Sequence, residues 1–148
     1  MDYKAFVSST FLDLKDHRAH VIRELRKAGF FVDPMEEWTS AAQEPHELSK
    51  QRLDGCKLCV LLVARKRGTV PDGETLTITQ MEVEEARCLQ IDVLPFLLDD
   101  AAEWSAELDE RESDPALRQW LADLQHGKYG SVNPTPGATG GSFVPQWF

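Results

Sequence analysis

Seven consecutive apolar residues, Leu58 to Ala64 (LCVLLVA), constrain this chain more than any other feature. A run with no polar break suits a strand buried on both faces, as the inner strand of a parallel sheet is when helices cover it. Parallel neighbours require crossover connections, so amphipathic helices must flank the run in sequence. They do. Residues 3 to 8 (YKAFVS) form a short apolar run that hands over at Ser8, Ser9 and Thr10 to a helix expected over Phe11 to Ala28. Its apolar positions Leu14, Val21, Ile22 and Leu25 share one face, and Gly29 stands where a left-handed C-cap belongs. A second strand follows over Phe30 to Asp33 and stops at Pro34.

The loop bearing Met35, Glu36, Glu37 and Trp38 leads through TSAAQEPHE into a helix from about Pro45 to Asp54. After the buried strand comes a basic, glycine-containing corner at 65 to 73 (RKRGTVPDG), then a helix from about Thr77 to Leu89 and a strand over Asp92 to Leu98. Strand and helix therefore alternate at least three times, which predicts an α/β fold in three layers with a short parallel sheet. Beyond Asp100, AEWSAELDERESDPALRQWLADLQ reads as two amphipathic helices offering Trp104, Leu108, Leu117, Trp120 and Leu121 for packing. Residues 1–128 are expected to form the domain, and the turn-rich 129–148 a flexible tail or linker.

Composition narrows the function. At 148 residues, 42% hydrophobic and 28% charged, the chain is one ordinary globular domain. With 25 acidic against 16 basic residues, a net charge of −9 and no basic block, it offers nucleic acid no footprint. No apolar run approaches the roughly 20 residues that span a bilayer, and the start, MDYKAFVSST, is unlike a signal peptide. A cytoplasmic location with no membrane partner is the expectation. The cysteines Cys56, Cys59 and Cys88 are too few for a disulfide framework, and the CxxC they contain leads into a strand, where no helix terminus would lower a thiol pKa. They read as small buried apolar side chains, and no metal site is expected. His17 and His20, one helical turn apart, lack a third ligand and read as ordinary helix residues.

In a parallel sheet the binding crevice lies beyond the carboxyl ends of the strands. Topology alone brings the Ser8–Ser9–Thr10 turn, the MEEW loop and the basic corner to that crevice. One residue there breaks the structural pattern. Glu82 lies within the stripe of Ile78, Met81, Ala86 and Leu89, one turn from Ile78 and from Ala86. A carboxylate on an apolar stripe is desolvated, which suits a general base or a stabiliser of developing positive charge. The alternative is an acid that only favours the helix dipole or is paired with Arg18 or another arginine. The hydroxyl turn likewise has two readings. Ser8, Ser9 and Thr10 cap the first helix, with Asp13 as the capping-box partner, and the same groups can cradle a phosphate or ribose.

The strings FVSSTFLDLKDHR at 6–18, MEEW at 35–38, TITQMEVEEA at 77–86 and IDVLPFLLDD at 91–100 resemble the family known as domain of unknown function 4062. The resemblance runs over roughly residues 3–100. It implies a flavodoxin-like sheet of order 2-1-3-4, like that of TIR domains and nucleoside 2-deoxyribosyltransferases. It also implies a place at the N-terminus of larger NACHT-type signalling or anti-phage defence NTPases. By position in TITQMEVEEA, Glu82 matches the glutamate that acts at the ribosyl carbon in N-glycosidic cleavage, with NAD as a substrate in catalytic TIR domains. Ser8, Ser9, Thr10, Glu36 and Arg67 then line the nucleotide pocket. Val83 stands where a tyrosine is common in the family, and Lys66, Arg67 and Gly68 replace an Arg-Tyr-Gly. No resident cofactor is implied, and homo-oligomerisation through the domain is. The function expected is an NAD-glycohydrolase or nucleotide N-glycosidase; the alternative is a non-catalytic signalling or interaction module.

Overall fold

The computed structural model describes residues 3–32, 50–129 and 133–134. The strands are β1 (Tyr3–Ser8), β2 (Phe30–Val32), β3 (Cys56–Val63), β4 (Asp92–Leu97) and β5 (Asn133–Pro134). The helices are α1 (Lys15–Lys27), α2 (Ile78–Cys88) and α3 (Pro115–Gln125). Residues 50–53 are also helical and turn into β3 through Gly55. All strand pairs are parallel, in the order β2-β1-β3-β4-β5. This is the flavodoxin-like arrangement, in which the order reverses between β1 and β3 and opens a crevice at their carboxyl ends.

Alternation along the strands divides the core into two faces. Ala5 and Val7 of β1 and Val60, Leu62 and Ala64 of the β3 segment pack with Leu14, Val21 and Ile22 of the α1 region. On the opposite face Phe6, Cys56 and Cys59 pack with Leu53 and Ala86. Leu61 and Val63 pack there with Val83 of α2 and with Trp120 and Leu124 of α3. The run read from sequence as a two-sided strand is buried on both faces, from Cys59 to Ala64. Among the described residues no helix is long and apolar enough to cross a membrane.

Three expectations change. Helix α1 begins at Lys15, four residues later than expected. Its N-cap position is Leu14, with no side-chain cap, and a turn closed by Leu14 N–H to the Phe11 carbonyl precedes it. Ser8, Ser9 and Thr10 therefore do not cap the helix. Of the two helices expected after Asp100, α3 forms, capped by Asp114 through the N–H groups of Ala116 and Leu117. The first is reduced to a 3-10 turn over Ala106–Leu108. Finally, Asn133 and Pro134 pair with Phe96 and Leu97, so the sheet takes in two residues past the boundary expected at 128.

Candidate functional site

The local sequence explains how Glu82 is aimed. Thr77 caps α2 in a complete capping box, its side chain accepting from Gln80 N–H while the Gln80 side chain accepts from Thr77 N–H. Ile78 N–H also bonds the Thr69 carbonyl at 3.0 Å, tying the helix start to the basic corner. With its first turn fixed, α2 turns Thr79, Glu82, Val83 and Ala86 inward. The inward stripe thus differs from the one read in the sequence, since Leu89 is exposed and Val83 fully buried. Glu82 is on it in both cases, and only 5% exposed.

A carboxylate so deep in the protein needs compensating donors. Ser8 supplies one. The last residue of β1, it points to the α2 side like Phe6 two positions earlier, and its hydroxyl donates to Glu82 Oε1 at 2.7 Å. Ser9, on the other side of the chain, accepts at 2.9 Å from Arg18 Nη1 and donates to the Thr10 carbonyl at 2.6 Å. Arg18, 2% exposed on α1, also donates to the Val7 carbonyl at 3.2 Å. Thr10 donates its hydroxyl to Asp13 Oδ1. Three consecutive hydroxyls therefore each hold one ionisable group: Ser8 the Glu82 carboxylate, Ser9 the Arg18 guanidinium, Thr10 the Asp13 carboxylate. Released from capping, the turn organises charge.

These groups surround a cleft of about 480 Å³ at the β1/β3 switch point, lined among others by Ser9, Thr10, Asp13, Arg18, Lys66 and Glu82. Gly68 closes the corner against the turn. Its φ is +100°, and a Cβ there would sit 3.0 Å from Thr10 Cγ2, so only glycine lets the two loops meet unstrained.

The basic corner divides its labour. Arg65 is 6% exposed and donates to the carbonyls of Asp99, Asp100 and Ala102, which pins the segment after β4. Arg67 bonds Asp114 at 3.1 Å and does not line the cleft. Lys66 does line it, half-buried, and makes no ion pair with the described residues. Of the residues expected at the site, the structure brings Ser8, Ser9, Thr10 and Glu82 together, turns Arg67 to α3, and leaves Glu36 outside the described residues. Lys66, Asp13 and Arg18 were not named as site residues from the sequence. Asp13 has the spacing of a capping partner, and Lys66 and Arg67 are adjacent members of one basic corner, which no periodicity separates.

Burial governs the ionisable groups of the core. Burial, with the Glu82 carboxylate adding to it, pushes the Cys59 thiol far above its usual range, so that thiol is inert. Cys56, buried and bonded to the Arg52 carbonyl at 3.2 Å, is raised as well, chiefly by burial. His17 packs its ring on Trp104, centroids 5.5 Å apart. His20 is buried, and burial lowers its pKa. No cluster of three or more metal-binding side chains occurs among the described residues.

Among solved structures the chain is similar to a CMP N-glycosidase of Clostridium botulinum, BcmB, at 13% identity and a TM-score of 0.46, over 88% of this chain and 85% of that one. No curated protein matches it. The match that spans most of the sequence, residues 4–135, is to the family described as Domain of unknown function (DUF4062), and the chain belongs to that family.

Proposed function

We propose that this protein binds a nucleotide in the cleft between β1 and β3 and cleaves its N-glycosidic bond, with Glu82 facing the ribosyl carbon. The observation that carries this reading is the buried Glu82 carboxylate held by Ser8 at 2.7 Å on the wall of the cleft. Such a group is preorganised, so it stabilises charge developing in the transition state without reorganising first. In the reaction the C1′–N bond breaks with its electron pair going to the departing base. Water oxygen bonds to C1′ and releases its proton to solvent, from which a base that leaves as an anion takes one up, and Glu82 stabilises the oxocarbenium-like carbon between those events. For NAD the nicotinamide leaves neutral, so one carboxylate meets the need. Lys66, unpaired among the described residues, suits a phosphate at the cleft rim. The resemblance of the sequence motifs to the DUF4062 family, itself similar to TIR domains and nucleoside 2-deoxyribosyltransferases, supports the same chemistry.

The test is consumption of NAD and of a nucleoside monophosphate panel at high protein concentration, with and without a crowding agent, comparing the natural chain with Glu82→Gln. Turnover that falls about 10²–10³-fold in the variant is the expected result. Binding without turnover by the folded natural chain would make it a non-catalytic nucleotide-sensing module of a signalling protein. Neither binding nor turnover would remove the nucleotide reading.

A further inference from the structure

We infer that Asp13 reads the sugar of the bound nucleotide: its buried carboxylate accepts the ribose 2′-hydroxyl, so that the site prefers ribonucleotides to 2′-deoxyribonucleotides. This inference rests on the nucleotide reading above and adds to it the sugar class of the ligand.

Asp13 is 8% exposed and lines the cleft. Its two oxygens are in different situations. Oδ1 accepts the Thr10 hydroxyl, whereas Oδ2 is buried and has no hydrogen-bond partner among the described residues. The expected use of this carboxylate, capping α1, does not occur, because the helix starts at Lys15 behind an uncapped Leu14. An unmade hydrogen bond at a buried charged oxygen is costly, and folded proteins leave few of them. The cost is recovered when a ligand supplies the donor.

The position of the oxygen in the cleft suggests which donor. Glu82, on the same cleft, addresses C1′ in the proposed reaction, and the donor one carbon away from C1′ is the 2′-hydroxyl. Asp13 and Glu82 are anchored by residues two apart in the same turn, Thr10 and Ser8. A nucleotide bound in this cleft would then meet Glu82 at C1′ and Asp13 at the adjoining C2′ hydroxyl. A carboxylate accepting a ribose hydroxyl is also how dinucleotide sites recognise that sugar.

The experiment is calorimetric titration of the whole chain at fixed salt with AMP, CMP, GMP and UMP and with their 2′-deoxy counterparts. At least one ribonucleotide is expected to bind about 10–100-fold more tightly than its deoxy form, the range of a hydrogen bond to a charged group. In Asp13→Ala that ratio should fall close to one. Thr10→Val, which removes the Thr10–Asp13 bond but keeps the carboxylate, should retain a ratio above one, and a purely structural role for Asp13 would make the two variants alike. If Asp13→Ala does not fold, Asp13→Asn takes its place, with a reduced ratio expected. Equal binding of both sugar forms by the natural chain, or an unchanged ratio in the Asp13 variant, overturns the inference and leaves the nucleotide reading standing. Binding of no nucleotide at all overturns both.

Discussion

At the scale of single residues, the site depends on contacts that tolerate little change. Gly68→Ala forces a Cβ to within 3.0 Å of Thr10 at a φ of +100°. It should destabilise the protein by about 1–2 kcal/mol, measured by urea unfolding, and weaken nucleotide binding through the displaced Thr10. Ser8→Ala deprives the Glu82 carboxylate of its 2.7 Å donor. A loss of about 1–3 kcal/mol is expected by the same measurement, with turnover falling as well. Glu82 was legible in the sequence because an acid on an apolar stripe is anomalous wherever the stripe's exact edges fall. Asp13 was not, because an acid three residues after a threonine has the same spacing whether it caps a helix or bonds the threonine hydroxyl. Nor did adjacency show that Lys66 faces the cleft while Arg67 turns away to Asp114.

The elements repeat this contrast between local signals and tertiary decisions. Helix α2 was legible almost to the residue, since its capping box and apolar stripe are written in one continuous segment. Its end is less favourable. Gln90 adopts φ +59°, while Gln90 N–H bonds the Arg87 carbonyl and Ile91 N–H the Ala86 carbonyl, the double bond of a Schellman ending. Gln90→Gly should therefore stabilise the protein by about 0.5–1 kcal/mol, seen as a higher urea midpoint with an unchanged slope. Helix α3 depends on Asp114, which caps it and bonds Arg67. Burial works against that carboxylate's charge, yet the Arg67 bond and the capping N–H groups outweigh it and hold its pKa below the usual value. Asp114→Ala should cost about 1–2 kcal/mol. The late start of α1 and the shrinking of the segment near Ala106 to a 3-10 turn were not legible, because in both places side chains are claimed by distant partners. Asp13 faces the cleft, and Asp109 is bound by Arg111 at 2.8 Å with Arg65 behind it.

For the whole molecule, stability should fall at both ends of the pH scale. The folded-state pKa of His20 is lowered, so the unfolded chain takes up its proton first, and stability drops as pH falls below 6.5. Asp109, lowered chiefly by its Arg111 bond, and Asp114 extend the loss as pH falls below 3.8. Cys59, Cys56 and Tyr129 are all raised by burial, Tyr129 also by its 2.5 Å bond to Glu84. Here the unfolded chain loses protons first, so stability falls again as pH climbs past 9.0 and then 10.0. Urea midpoints across pH 3–11 should trace a plateau with two shoulders, and His20→Gln should flatten the fall near neutrality. Alternating strands and helices made parallel pairing with right-handed crossovers legible at this scale, while the order of the first four strands followed from the family resemblance. The fifth strand was not legible, since two residues carry no periodicity. That strand has one further consequence. Its second residue, Pro134, has no N–H to offer a neighbour, so the β5 border of the sheet is chemically blunted. A strand arriving from another molecule therefore finds no donor at Pro134 with which to lengthen the sheet on that side.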